Sequence, residues 1–132
     1  MNARIGHLVY SINTSNIAFY RELFTFLGWH VIWEGPDMLG VGANNSSIWF
    51  GAATKAVAND YDGPGLNHVA IHTETPADVD ATVAYLKERG VAALFETPRQ
   101  RPEFSGDSNT YYQVMFETPD RLLVEVVYSG PK

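Results

Sequence analysis

Ile5-Gly6-His7-Leu8-Val9 and Leu66-Asn67-His68-Val69-Ala70 are two versions of one apolar segment, each with a histidine third in line, and the two histidines stand 61 residues apart. Around each, 5–12 and 66–73 read as strands, and the segments after them obey one plan. Asn13, Thr14 and Ser15 are helix-capping types. Beyond them Ile17, Tyr20, Phe24 and Leu27 make an apolar stripe at helical spacing, closed by Gly28. In the second half Thr75 and Asp78 predict a capping box around Pro76, and Gly90 closes the helix. Ile17 and Val79, Phe24 and Leu86, and Gly28 and Gly90 are each 62 apart, so one residue of difference in the strand-to-helix turn aligns the halves. Three strand-like pieces come after the first helix at 29–34, 38–41 and 47–52, and three after the second at 91–96, 111–117 and 122–128, with a loop inserted at about 98–109. Two βαβββ modules are therefore expected, at about 4–53 and 66–129, joined by a connector at 54–65 where periodicity lapses and Asp, Asn, Gly and Pro accumulate. Each module alone exposes a sheet face, so the expectation is an α+β fold in which both form a mixed, partly open barrel within a single domain, 1–132.

Composition narrows the function. With 45% hydrophobic and 13% aromatic residues in 132, the chain has material for a core. A net charge of −6 with nine Lys and Arg provides no basic stripe for a phosphate backbone, which argues against nucleic acid. The absence of cysteine excludes disulfides, thiolate metal sites and cysteine nucleophiles. Residues 1–4 lead straight into a strand-like segment without a signal-peptide core, and no apolar run nears spanning length; a cytoplasmic protein with no membrane partner is expected.

Glu125 interrupts Leu122-Leu123-Val124-Glu125-Val126-Val127-Tyr128, which otherwise reads as a buried strand. A carboxylate on the face of Leu123 and Val127 must meet a cation, an arginine or a hydrogen-bond donor, or stay protonated, because burying it bare costs several kcal/mol. His7 and His68 are repeat mates, and two imidazoles plus a carboxylate form a ligand set for iron(II), manganese or zinc with positions left open for substrate or water. Taken singly, each histidine has a plainer reading as a hydrogen-bonded strand residue, and Glu125 as a solvated or arginine-paired one. The three together point to a metal site.

These segments resemble the vicinal oxygen chelate superfamily, which includes glyoxalase I, extradiol dioxygenases, fosfomycin-modifying thiol transferases and bleomycin-resistance proteins. The resemblance runs nearly the whole chain: Gly6-His7-Leu8, the helix from Phe19-Tyr20 to Leu27-Gly28, Asn67-His68-Val69-Ala70, and Tyr111-Tyr112 through Thr118-Pro119-Asp120-Arg121 to Glu125, with Arg121 where glycine is usual. It implies the glyoxalase/bleomycin-resistance/dioxygenase-like fold, homodimers with domain swapping in some members, and metal ligands at His7, His68 and Glu125. The fourth ligand position falls near Trp49, where an indole replaces the ligand of glyoxalase I, and Val9 replaces the threonine of the fosfomycin enzymes. The extradiol pattern adds His72, Tyr111 and Tyr112 as proton-transfer candidates; His72 also reads as a polar strand end.

Arg99 and Arg101 in the inserted loop suit an anionic substrate under a lid, or simply solvation of the loop. Trp29, Trp33, Trp49, Tyr111 and Tyr112 suit a pocket for a planar ligand, or core filling, with Trp49 and Tyr111 best placed. Gly40 and Gly42 precede no helix and make no phosphate loop. The expected function is a metal-dependent enzyme that chelates a small oxygenated organic substrate on Fe2+, Mn2+, Zn2+ or Ni2+, by lyase, isomerase or dioxygenase-type chemistry. Glu125 is its expected catalytic ligand, and Trp49, Tyr111, Tyr112, His72 and Arg101 are its expected substrate contacts. The alternative is a bleomycin-resistance-like module that binds a small molecule without metal.

Overall fold

In the computed structural model, which describes residues 1–132, strand β1 (His7–Ile12) ends at Asn13, whose side chain accepts the backbone N–H of Ser15 at 3.0 Å. That cap starts a single 3-10 turn, Thr14–Asn16, which runs into helix α1 (Ile17–Phe26). Strands β2 (His30–Glu34), β3 (Met38–Ala43) and β4 (Ser46–Ala52) come next, and the sheet order is β1-β4-β3-β2 with β1 parallel to β4. The β3–β4 hairpin is closed by Asn44 and Asn45 at φ 52° and 65°. A two-residue turn of that hand requires positive φ at both positions, which asparagine tolerates.

Side chains alternate across these strands. One face sends Ile48 and Phe50 of β4 and Leu39 and Val41 of β3 onto the buried Ile17, Tyr20, Leu23 and Phe24 of α1. Phe50 is the centre, stacked on Tyr20 at 4.2 Å between ring centroids and touching Tyr10 and Phe24 at 5.9 and 5.7 Å. The other face carries Val9, exposed, and Trp49, whose ring lies so close over Gly40 that a Cβ there would come within 2.5 Å of it. The outer strand β2 has no buried residue and a register shift between Val31 and Trp33, which blunts the sheet edge.

The second half repeats the plan as β5 (Val69–Thr73), α2 (Pro76–Glu88), β6 (Arg99–Gln100), β7 (Asn109–Glu117) and β8 (Leu123–Pro131), in the order β5-β8-β7-β6. The capping box forms as expected: Thr75 Oγ1 accepts from the Asp78 N–H at 3.2 Å and Asp78 Oδ2 from the Thr75 N–H at 3.0 Å. Gly90, at φ +70°, ends the helix region. Three expectations are corrected. The segment 91–96 is not a strand, because Phe95 and Glu96 take left-handed φ of 56° and 60°; Leu94 alone donates to β7, at Met115 O, 2.8 Å away. The outer strand is instead the two-residue β6, inside the stretch expected to be loop. His68 lies one residue before β5 rather than within it.

The chain divides into two compact units, Met1–Ala58 and Asn59–Lys132, and each holds one four-stranded mixed sheet and one long helix, an α+β pair of βαβββ modules. In the second unit Ile71, Val114, Phe116, Val124 and Val126 are buried on the face that takes Val79 and Leu86 of α2. The opposite face is covered locally, Tyr61 and Leu94 packing on Met115 and Leu123. No helix is long and apolar enough to cross a membrane.

Candidate metal centre

Register decides which side chains meet. Ala70 pairs with Glu125 across β5 and β8, and Met115 pairs with Glu125 across β8 and β7, so Tyr111, Gln113 and Met115 share the Glu125 face while Tyr112 points to the other. In the first module the same ladder pairs Val9 with Trp49 and Trp49 with Gly40. Trp49 therefore occupies the place that Glu125 holds in the second module, and Gly40 that of Met115. The indole needs the room that glycine leaves, and its Nε1 donates to Ser47 Oγ at 3.0 Å.

Glu125 is 2% exposed. Its Oε2 accepts from Tyr111 Oη at 2.9 Å and from Gln113 Nε2, and Gln113 Oε1 in turn accepts from Arg101 Nη1 at 3.1 Å. Arg101 only donates, so it orients the Gln113 amide with its NH2 toward the carboxylate. Arg101 is tethered by Glu103 at 3.0 Å and lies over the Phe104 ring, which meets Tyr111 edge-on at 5.4 Å between centroids. The inserted loop thus reaches the two donors of the carboxylate, Gln113 through Arg101 and Tyr111 through Phe104. The other oxygen, Oε1, faces His68 Nε2 at 3.5 Å.

Burial, then the hydrogen bond to Glu125 and the Glu125 charge, push the Tyr111 hydroxyl up to about 12, against a smaller opposing pull from Arg101. Tyr112 is pushed to about 12 as well, by its hydrogen bond to Asp80 of α2, then burial and the Asp80 charge. Both shifts favour the protonated phenol in the folded state, while the unfolded chain releases these protons near 10. Between about pH 10 and 12 the unfolded state therefore binds fewer protons, and stability, level below that window, falls as pH rises through it. Melting temperatures at about pH 9 and 11 should show this loss, and the Tyr111→Phe, Tyr112→Phe double variant should lessen it, the remainder coming from Tyr10, raised by burial, and Tyr61, raised by its hydrogen bond to Glu117; an equally steep loss in the variant would assign it elsewhere.

Of the residues marked in the sequence, the second module brings together His68, Glu125, Tyr111 and, through Gln113, Arg101. Tyr112 faces α2, and His72 is exposed on β5 opposite Val127. His7 and Trp49 lie on the first module's sheet. No three His, Asp or Glu side chains of the chain are grouped so as to hold a metal ion. Gln113 and Asn67 are not among the site residues that the sequence singles out. Gln113 carries the signal that exposed Glu125: a polar residue in an apolar strand, an even number of residues from Tyr111 and Met115.

The structure is thus a pair of βαβββ modules, the second with a histidine before one edge strand and a buried carboxylate on its parallel neighbour, a nitrogen and an oxygen 3.5 Å apart. The chain belongs to the Glyoxalase/Bleomycin resistance protein/Dioxygenase superfamily, whose family model matches residues 4–126. It is similar to a candidate glyoxalase of Bacillus halodurans, with 26% identity and a TM-score of 0.81 over 96% of each chain. It shares its fold with FosX of Listeria monocytogenes, a fosfomycin resistance protein crystallised with Mn(II) and sulfate, at 17% identity and a TM-score of 0.67 over 96% of this chain and 90% of FosX. The uncharacterised protein YqjT of Bacillus subtilis is 40% identical over 63 residues, 48% of this chain and 46% of YqjT, so the match spans about half of that relative.

Proposed function

We propose that this chain is a divalent-metal-dependent enzyme that acts on a small oxygenated organic molecule, with His68, Glu125 and the repeat mate His7 as ligands. The observation that carries the reading is the His68–Glu125 pair. An imidazole nitrogen and a carboxylate oxygen face each other at 3.5 Å, while the second carboxylate oxygen is taken by two donors. That donor set fits manganese, iron(II), zinc or nickel, and FosX, which shares the fold, was crystallised with Mn(II).

A bound divalent ion would supply Lewis-acid stabilisation of negative charge on substrate oxygens, which lyase, isomerase and dioxygenase chemistry all use. The chain's own residues supply the rest. Glu125 is held by Tyr111 and Gln113 in one orientation, so no reorganisation is needed when a ligand arrives. Tyr111, protonated throughout the physiological range, keeps a hydroxyl hydrogen beside the carboxylate. Arg101, packed on Phe104, places a positive charge at the rim for an anionic substrate group, and Trp49 and His72 are proposed substrate contacts with it. Tyr112 supports the sheet from the helix side, through Asp80. The working form we propose is a cytoplasmic homodimer with 1–132 as one functional domain.

One observation favours a second reading. Trp49 stands where Glu125 stands in the repeat, beside the exposed Val9, Ile32 and Trp33, a surface suited to holding a ligand without metal, as a bleomycin-resistance-like binder would. Elemental analysis of protein purified without a histidine tag, before and after incubation with Mn2+, Fe2+, Zn2+ or Ni2+, separates the two. Retained metal at one ion per His68–Glu125 pair is expected; no metal and no uptake would overturn the enzyme reading and leave the binder.

A further inference from the structure

We propose that Asn67 is a positioning residue that sets the tautomer of His68, holding the proton on Nδ1 and presenting a bare Nε2 toward Glu125. His68 Nδ1 lies 2.7 Å from Asn67 Oδ1, and Asn67 Nδ2 donates to the backbone carbonyl of Tyr61 at 2.9 Å. A carbonyl oxygen only accepts, so the Asn67 NH2 must face Tyr61 and its oxygen must face the imidazole. An amide oxygen also only accepts, so Nδ1 carries the hydrogen. In the neutral ring Nε2 is then a lone pair, aimed at the 3.5 Å gap to Glu125 Oε1.

Tyr61 is itself anchored. Its hydroxyl donates to Glu117 Oε1 at 2.6 Å, the Arg121 guanidinium lies 4.9 Å over its ring, and the ring is buried on Met115 and Leu123. Hydrogen-bond direction therefore passes from a fixed backbone carbonyl to the imidazole through one side chain. The first module has no equivalent, because the residue before His7 is Gly6, which has no side chain to accept from the ring. The two histidines of the repeat are thus prepared differently: His68 is set by its neighbour and His7 is not. The effect on the ring stands without metal; its consequence for metal affinity rests on the function proposed above.

The test is nitrogen-15 NMR of histidine rings in the metal-free full chain at about pH 8.5, where imidazoles are neutral, with His68→Gln used to assign the His68 signals. The expected spectrum shows His68 protonated at Nδ1. Asn67→Ala should move it toward the Nε2–H form, and Asn67→Asp, which keeps an acceptor oxygen in place, should preserve the Nδ1–H form. A merely structural role for Asn67 would not distinguish alanine from aspartate at this atom. Wild-type protein with the proton on Nε2, or an unchanged tautomer in Asn67→Ala, overturns the proposal. Should Asn67→Ala fail to fold, the wild-type and Asn67→Asp spectra decide it, since an Nε2–H ring in either contradicts the assignment. Titration with Mn2+ tests the metal function separately. Asn67→Ala should weaken binding by about 10- to 100-fold, with recovery in Asn67→Asp, whereas wild-type protein that ignores Mn2+ but keeps the Nδ1–H ring sinks the metal function alone.

Discussion

Glu125→Gln is expected to lose Mn2+ by more than about 100-fold while melting close to wild type, and Glu125→Ala is expected to lose both metal and stability. Changes to outer-shell partners alone cost metal affinity about 10- to 100-fold, so removing a direct ligand should exceed that range. The stability contrast comes from the donors. In Glu125→Gln the amide oxygen still accepts from Tyr111 and Gln113, and the new NH2 can donate to the bare Nε2 of His68. In Glu125→Ala the same two donors lose their acceptor at a position 2% exposed, and each unsatisfied buried group costs about 1–3 kcal/mol. Calorimetric titration with Mn2+ and thermal melts of both variants check the pair. Wild-type Mn2+ affinity in Glu125→Gln would show that the buried carboxylate is structural and that the third ligand lies elsewhere.

Phe50→Ala is expected to carry the largest stability cost in the first module, about 3–5 kcal/mol. Phe50 is 2% exposed and touches three other rings, so truncation leaves a cavity that Tyr10, Tyr20 and Phe24 cannot collapse into without leaving their own contacts. Domains of this size are stable by about 5–15 kcal/mol, so the change removes a large share of the total. Val9→Ala, at 63% exposure on the opposite face of the same sheet, should stay within about 0.5 kcal/mol. Urea unfolding of the two variants reads the difference as a shift in midpoint. Equal midpoints would mean that the α1 face is not the core of the module.

Arg121 shows how one turn residue is tolerated against its backbone preference. Its φ is +59°, where glycine is favoured and any other residue costs about 1–2 kcal/mol. The cost is met by partners that glycine would not have: Arg121 Nη1 donates to Asn59 O at 3.2 Å, the guanidinium covers Tyr61 at 4.9 Å, and Glu117 lies 3.6 Å away. The Tyr61 anchor is the one that ends at Asn67 and His68. An exception in the sequence thus becomes part of the site's support once the connector folds back on its own module.

The modules and their caps were legible in the chain because they depend on neighbours within a few residues. Asn13 ends a strand, and Thr75 and Asp78 satisfy the first N–H groups of α2, each by its own side chain. Glu125 was legible for a related reason: alternation in an apolar strand buries it, and a buried carboxylate demands partners. The segment 91–96 misled because Val91, Leu94 and Phe95 look like strand residues, yet whether an apolar stretch pairs is decided by the backbone of its neighbour.

The partners of Glu125 and His68 were decided by tertiary structure. Ladder register across β7 and β8 puts Tyr111 and Gln113 on the carboxylate and turns Tyr112 away, and the connector's fold brings the Tyr61 carbonyl to Asn67. Local sequence sets which residues must be satisfied, because burial and backbone preference act over a few residues. Register and packing between distant segments set what satisfies them, because hydrogen bonds and sheet pairing depend on distance in space and not along the chain.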